Sequence, residues 1–486
     1  MTQRTGASGK QCSVLFRKDA KNSDLNMKRL LIILSTILLT SNIFGQTSRP
    51  VVDERFELTS IVFRIAGAEE YVCDGVPEYM KEIDEYFAPY KEHKIISYIQ
   101  NTLRERQEIG YDAVASSAFF LKIENGRVGI ADEAKLDEYL EGEKRWNKVV
   151  FQEYVSLLND FYRKSKAGKF FENHREFYQK AVNANQELVG KIDMQWFYDT
   201  FAGSPLNLDV CLGLCTAQHN YGGREYEDGT MTIVIGTFAD QNGVPNILPS
   251  AFDVVIHEIG HYYSGPLIEK HYDEMKAASE DIYSRIEDRM IVEAHKKPRT
   301  VAGEWINEVF VNMYMKEHDE LIMYNVYNDI RWGYIWINRA MDLMKNYDRS
   351  QYTSMSEFMP HIVDFTNRLP DDWEMIENEL ANAHPYVVGT FPVNGSTISA
   401  DTKEIRVRFA HPMFDAHGLA MIDGYEMLPD DFQKCRWEDP YTYVIAVGEQ
   451  LQSGKKYGVA LMWQPFIRLD NGFRLKENYD IVFEIE

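Results

Sequence analysis

His257 and His261 stand four positions apart in HEIGHYYSG, His257 to Gly265, with Glu258 directly after the first histidine. On an α-helix that spacing puts both imidazoles on one face, where neutral ring nitrogens can share one zinc ion at about 2.0–2.1 Å. Zinc would make a water molecule acidic enough to attack a carbonyl at neutral pH, and Glu258 would take its proton and pass it to the leaving amine. The chemistry is hydrolysis of a peptide bond. Three fixed residues are a short signature, so the reading depends on a third ligand elsewhere in the chain.

The surrounding residues predict a helix with defined ends. Ser250 is the expected N-cap with Asp253 three residues on, Phe252, Val255, Ile256 and Ile259 form an apolar stripe, and Gly265-Pro266 is the expected stop. A metzincin would carry a third histidine at position 267, where this chain has Leu267, so that class is excluded. The later segment GEWINEVFVNMYM, Gly303 to Met315, resembles the glutamate helix of gluzincins, especially the W-L-N-E-G-F-A pattern of their aminopeptidase branch. Trp305, Asn307, Glu308 and Phe310 match, while Ile306 and Val309 depart from it. The resemblance implies that Glu308, 308 − 261 = 47 positions beyond the second histidine, is the third zinc ligand. It also implies that Asn312, one turn later, orients a ligand histidine. Glu304, one turn before Glu308 on the same face, is the competing ligand. Trp305, Val309 and Phe310 predict that this helix is buried, and a buried carboxylate needs a partner such as a cation.

The same resemblance implies an edge strand upstream of the HExxH helix against which an extended peptide adds as a further strand. Thr230 to Phe238 is the candidate, with the preceding HNYGG, His219 to Gly223, shaping the cleft. Candidates for the oxyanion-stabilising group are Tyr324, Tyr327, Arg331, Tyr334 and His295, and the sequence does not choose among them. No G-x-M-E-N stretch of the kind that captures a substrate amine in aminopeptidases is present.

Helices must supply the frame for these residues. Apolar positions recur at three- and four-residue spacing over Asp132 to Lys164, Tyr272 to Ala294, Val301 to Lys316 and Leu321 to Tyr347. Before residue 385 only TSIVFR, Thr59 to Arg64, and TMTIVIGTF, Thr230 to Phe238, read as strands. Beyond His384-Pro385 the texture changes to short β-rich runs: EIRVRF, YTYVIAVG, YGVALMW and YDIVFEIE, separated by turns such as Asn394-Gly395 and Asp470-Asn471-Gly472. Phe391 to Met413, FPVNGSTISADTKEIRVRFAHPM, resembles the opening of bacterial Ig-like domains, which implies a spacer or adhesion unit without catalytic residues. The expected fold class is therefore α+β: a mainly helical, zincin-like domain with a small β-sheet over residues 46–384, then an all-β Ig-like sandwich over 385–486. ELTSIVFRIAGAEEY, HNYGG, HExxH and the glutamate helix together resemble a family of secreted bacterial proteins catalogued as a domain of unknown function.

Lys28 and Arg29, the apolar run Leu30 to Leu39 and the small-residue end at Gly45 predict a signal peptide over residues 27–45 and export to the periplasm or the extracellular space. Residues 1–26 fit neither a leader nor a folded element, so Met27 is the expected start. The apolar run is shorter than the ~20 residues of a membrane span, so no integral span is expected in the mature chain. The full chain carries a formal charge of −23, and residues 1–45 contribute +5, leaving −28. That balance disfavours nucleic-acid and anionic-membrane partners, which require clustered basic charge. Cys73, Cys211, Cys215 and Cys435 follow the leader. They do not form a dense disulfide framework, and either a Cys211–Cys215 bridge or buried thiols fits their spacing.

The reading is an exported hydrolase of peptide or protein substrates using one Zn2+, held by His257, His261 and Glu308, with Glu258 as general base. The alternative is a non-catalytic, zinc-containing binding or surface-interaction protein.

Overall fold

Strand signals are sparse in the first 380 residues, and the computed structural model sets one four-stranded sheet and two two-stranded ones among helices there. The structure describes residues 48–203, 206–216, 218–226, 228–290 and 296–486. The expected leader and the residues before it lie outside these. The described residues form two units, one ending at Asn382 and one beginning at Ala383.

The first unit carries α1 (Glu54–Ile65), α2 (Pro77–Phe87), α3 (Lys94–Tyr98), α4 (Tyr111–Ala118), α5 (Glu133–Gly142), α6 (Lys148–Ser165), α7 (Ala167–Asn173) and α8 (Arg175–Val189). It continues with α9 (Met194–Phe201), α10 (Phe252–Ile286), α11 (Pro298–Glu317), α12 (Met323–Trp332), α13 (Ile337–Met344), α14 (Met355–Arg368) and α15 (Trp373–Ala381). Its strands are β1 (Ser48–Val51), β2 (Leu121–Glu124), β3 (Arg127–Ile130), β4 (Asn207–Gly213), β5 (Tyr221–Glu225), β6 (Thr230–Gly236), β7 (Phe238–Ala239) and β8 (Pro245–Asn246).

The main sheet has the order β1-β4-β6-β5, with β1, β4 and β6 parallel and β5 antiparallel to β6. β6 is thus an interior strand, buried at every position after Thr230. The exposed edge expected at Thr230 to Phe238 belongs instead to β5, the YGGRE segment. Helix α8 packs on β1 and β4, and α10 on β5 and β6.

Several sequence expectations change. TSIVFR is helical, lying inside α1, because Asp53 caps that helix by accepting from the Arg55 amide at 2.8 Å and because Thr59 to Phe63 are all buried. Its β-branched residues read as a strand only because burial on several sides erases helical periodicity. Pro266 does not stop the HExxH helix: α10 runs through it for 35 residues to Ile286, absorbing the helix expected from Tyr272. Ser250 sits in a short 3-10 turn ahead of α10, whose N-cap is Ala251, so the expected capping box does not form. The helix expected over Asp132 to Lys164 divides into α5 and α6, each with its own cap, Asp132 and Asn147. Gly333, at φ +114°, separates α12 from α13.

The second unit is all-β. Its strands are β9 (Val387–Phe391), β10 (Thr397–Ile398), β11 (Glu404–Phe409), β12 (Leu419–Ala420), β13 (Glu426–Met427), β14 (Arg436–Asp439), β15 (Thr442–Ala446), β16 (Lys456–Leu461) and β17 (Tyr479–Ile485). One sheet has the order β14-β15-β11-β9, the other β10-β17-β16-β12 with β13 on β16. Ile405, Val407 and Ile445 of the first share one core with Val459, Ile481 and Phe483 of the second. Alternation of buried and exposed residues along β11 and β17 produces that shared core. All four described cysteines are free thiols. Among the described residues no helix is long and apolar enough to cross a membrane.

Candidate metal centre

The site is built where α10 and α11 cross, and a glycine permits the crossing. A Cβ added at Gly260 would sit 2.5 Å from Asn307 Oδ1, so no side chain other than hydrogen fits there without displacing α11. Asn307 is fully buried and bridges back to α10, donating from Nδ2 to the His257 carbonyl at 3.1 Å and accepting from Ser264 Oγ at 2.9 Å. A buried amide satisfied on both atoms fixes the rotation of one helix against the other. That rotation decides which carboxylate of α11 faces the histidines.

It is Glu304. Its Oε2 lies 3.4 Å from His257 Nε2 and 3.6 Å from His261 Nε2. The three side chains form a group whose donor atoms lie within 4.8 Å of one another. Two donors each ~2.1 Å from a tetrahedral zinc are separated by roughly 3.4 Å. Two imidazoles and one carboxylate at these separations are a donor set that fits zinc. Glu308, expected from the sequence as the third ligand, is engaged elsewhere: its Oε1 lies 2.8 Å from His257 Nδ1, the other ring nitrogen. A carboxylate there fixes the tautomer that presents Nε2 and makes that nitrogen a better donor.

Asn312 does not reach a histidine. Its Nδ2 donates to Asp329 Oδ2 of α12 at 2.8 Å, both residues being buried. Asp329 is held well above the ordinary carboxylate range by burial and by the charge of Glu308. Asp253, one turn before His257, is pushed up to about 6 by burial and by Glu308. His257 is driven the other way: burial disfavours its cation, but Glu308 and Glu304 outweigh this and raise it well above the usual imidazole value. Acidic groups thus surround His257, an electrostatic setting that favours a cation.

Glu258 follows His257 on α10. It is 8% exposed, and burial together with Glu304 and Glu308 raises it to about 7, against the opposing charge of His257. The edge strand β5 passes over it: a Cβ at Gly222 would lie 3.6 Å from Glu258 Oε2 and 3.6 Å from His261 Cβ. Tyr262 of α10 ties this strand down by donating to Glu225 Oε2 at 2.5 Å. The HNYGG segment therefore lies at the site, as the contacts of Gly222 and the edge position of β5 show.

Of the oxyanion candidates, Tyr334 is fully buried and its phenol is held well above its usual value by burial and by the charges of Glu304, Glu308 and Asp329. Tyr324 and Tyr327 are half-buried on α12, and Arg331 is exposed with its guanidinium 5.8 Å from the Tyr327 ring centre. His295 lies outside the described residues. Asn307, Gly260 and Asp329 are the residues that sequence reasoning left without a role, while Gly222 entered it only within HNYGG. A glycine between the two histidines of a helix is the signal for the first two, since glycine there costs about 1 kcal/mol unless close packing requires it.

An HExxH helix crossed by a helix bearing two carboxylates, beside the antiparallel edge of a small mixed sheet, defines the arrangement. The chain belongs to the family described as Domain of unknown function (DUF4932), whose model matches residues 51–365. The match holds both site helices and stops short of the second unit. No curated protein matches the chain. Among solved structures, the crystal structure of the S-layer protein rSbsC(31-844) is similar at 14% identity over 48% of this chain and 33% of that one, with a TM-score of 0.16. The N-terminal part of the bacterial S-layer protein SbsC is similar at 13% identity over 68% of this chain and 71% of that one, with a TM-score of 0.15. The chain spans about a third of the length of the first of these, and likeness at such TM-scores carries no argument.

Proposed function

We propose that the chain is an exported zinc-dependent peptidase of gluzincin type, with His257, His261 and Glu304 as the metal ligands, Glu308 as the carboxylate that orients His257, and Glu258 as general base. The observation that carries this reading is the placement of Glu304 Oε2 within 3.6 Å of both Nε2 atoms while Glu308 occupies His257 Nδ1. When bound, zinc supplies a Lewis acid that lowers the pKa of water and polarises a carbonyl.

The chain's own residues do the rest. Glu258, buried beside the first histidine, is the carboxylate that takes a proton and returns it to a leaving amine in this reading. The outer edge of β5 offers backbone groups to an extended peptide, and Gly222 brings that strand into close approach to Glu258. In this reading the second unit is an Ig-like spacer, and residues 27–45 are the export signal.

The test is hydrolysis of a peptide library by the full chain and by Glu258→Gln. The variant is expected to keep its zinc and lose at least ~100-fold in rate. A zinc-loaded wild-type chain that cleaves nothing supports a non-catalytic, zinc-containing binding protein instead.

A further inference from the structure

A cleft of about 720 Å³ opens between α2 and the α7–α8 segment and shares no lining residue with the histidine site. Its floor is aromatic. Tyr79 has its ring centre 5.9 Å from Phe170 and 5.5 Å from Phe177, and Phe170 in turn lies 5.0 Å from Tyr86 and 4.1 Å from His174. The floor is anchored from beneath, because Tyr79 Oη donates to the buried Glu57 at 2.9 Å and lies 2.8 Å from Tyr178 Oη. Tyr79 and Phe170 are closed off, whereas Tyr86 and Phe177 are half-buried and keep ring surface in contact with solvent.

The rim is acidic. Glu78, Glu82 and Glu85 stand at i, i+4 and i+7 of α2 and so line one face, and Glu176 faces them from α8. Glu82 meets His174 Nε2 at 2.6 Å. Glu78, Glu85 and Glu176 are exposed and form no ion pair among the described residues, and Lys180 is the one lysine or arginine on the lining. Like charges at i, i+4 destabilise a helix, which a cation between them would relieve. An aromatic floor under unpaired carboxylates favours a cation that stacks on rings and presents a planar fork to carboxylates. The guanidinium group has both properties, and it is more weakly hydrated than an ammonium group.

We propose that this cleft binds a guanidinium group, carried either by a free small molecule or by an arginine side chain of a peptide. The proposal is independent of the metal centre. The experiment is calorimetric titration of the full chain, at low ionic strength, with arginine amide, a tri-arginine peptide and lysine amide. Arginine amide is expected to bind saturably, about three-fold tighter than lysine amide. Its affinity should fall about five-fold in Glu78→Gln/Glu85→Gln and about two- to five-fold in Phe177→Leu, with unchanged far-UV dichroism in both. A tri-arginine peptide ten-fold tighter than arginine amide identifies the peptide source, and equal affinities identify the small molecule. Absence of saturable binding by the wild-type chain, equal binding of lysine amide, or affinity unchanged in the double variant would overturn the proposal.

Discussion

Glu304 and Glu308 are one helical turn apart, chemically identical, and separated in role by which nitrogen of His257 each one meets. Glu304 approaches Nε2 and Glu308 holds Nδ1. Glu258, next to His257, is packed against Gly222 of β5, where an added Cβ would stand 3.6 Å from its Oε2. Gly222→Ala adds a methyl at ordinary contact distance and should leave zinc binding and folding intact. Gly222→Val fills the space over Glu258 and is expected to lower kcat/KM by about ten-fold or more at unchanged zinc content. Steady-state kinetics on any peptide the wild-type chain cleaves, with metal analysis of the same samples, decides this. Equal kcat/KM in the valine variant would remove β5 from the substrate site.

At the scale of elements, the crossing of α10 and α11 is the feature on which the centre depends. Gly260→Ala replaces a poor helix former with the best one, a change worth about 1 kcal/mol in favour of the helix, yet places a carbon 2.5 Å from Asn307 Oδ1. Overpacking should win, giving a net loss of about 1–3 kcal/mol in urea unfolding together with weaker metal binding. Asn307→Ala leaves the buried Ser264 hydroxyl without its acceptor and should cost about 2 kcal/mol in the same assay. A more stable Gly260→Ala protein would contradict the packing account.

The histidine pair was legible in the sequence because i, i+4 spacing is a local property of one helix, whatever surrounds it. Which nitrogen of His257 each of Glu304 and Glu308 meets was not, because both occupy one face of α11 and the packing of α11 on α10 sets how that face is turned. The strand reading of Thr59 to Arg64 failed for a related reason: a helix buried on several sides has no polar stripe to betray its period. In the second unit, β11, β15, β16 and β17 followed the expected runs closely: β11 and β17 alternate between core and surface, while β15 and β16 are short runs buried almost throughout.

For the whole molecule, Glu57 couples stability to pH. It is 1% exposed, ties α1 to α2 through Tyr79 Oη at 2.9 Å and to the end of β4 through the Leu214 amide at 3.0 Å, and burial raises it to about 7. Between the unfolded value near 4.5 and about 7, the folded chain keeps a proton there that the unfolded chain has released. Stability therefore falls as pH rises through that window, by roughly 3 kcal/mol for this group, and is flat in this contribution above it. Glu57→Gln should remove that part of the slope and raise the urea midpoint at pH 8 while changing it little at pH 4.5. An unchanged pH profile in the variant would contradict a buried neutral Glu57. The second unit has its own core, so residues 383–486 expressed alone are expected to unfold in one cooperative transition, followed by tyrosine and tryptophan fluorescence.

The central claim is that Glu304, with His257 and His261, holds a metal ion while Glu308 only orients one of the histidines. Zinc content per chain, measured by elemental analysis after dialysis against a weak chelator, tests it most directly in the wild-type protein, Glu304→Gln and Glu308→Gln. The account predicts one zinc in the wild-type chain, loss of zinc from Glu304→Gln, and retention in Glu308→Gln with affinity lowered about 10- to 100-fold. A wild-type chain without zinc, or zinc lost from Glu308→Gln but kept by Glu304→Gln, would contradict it.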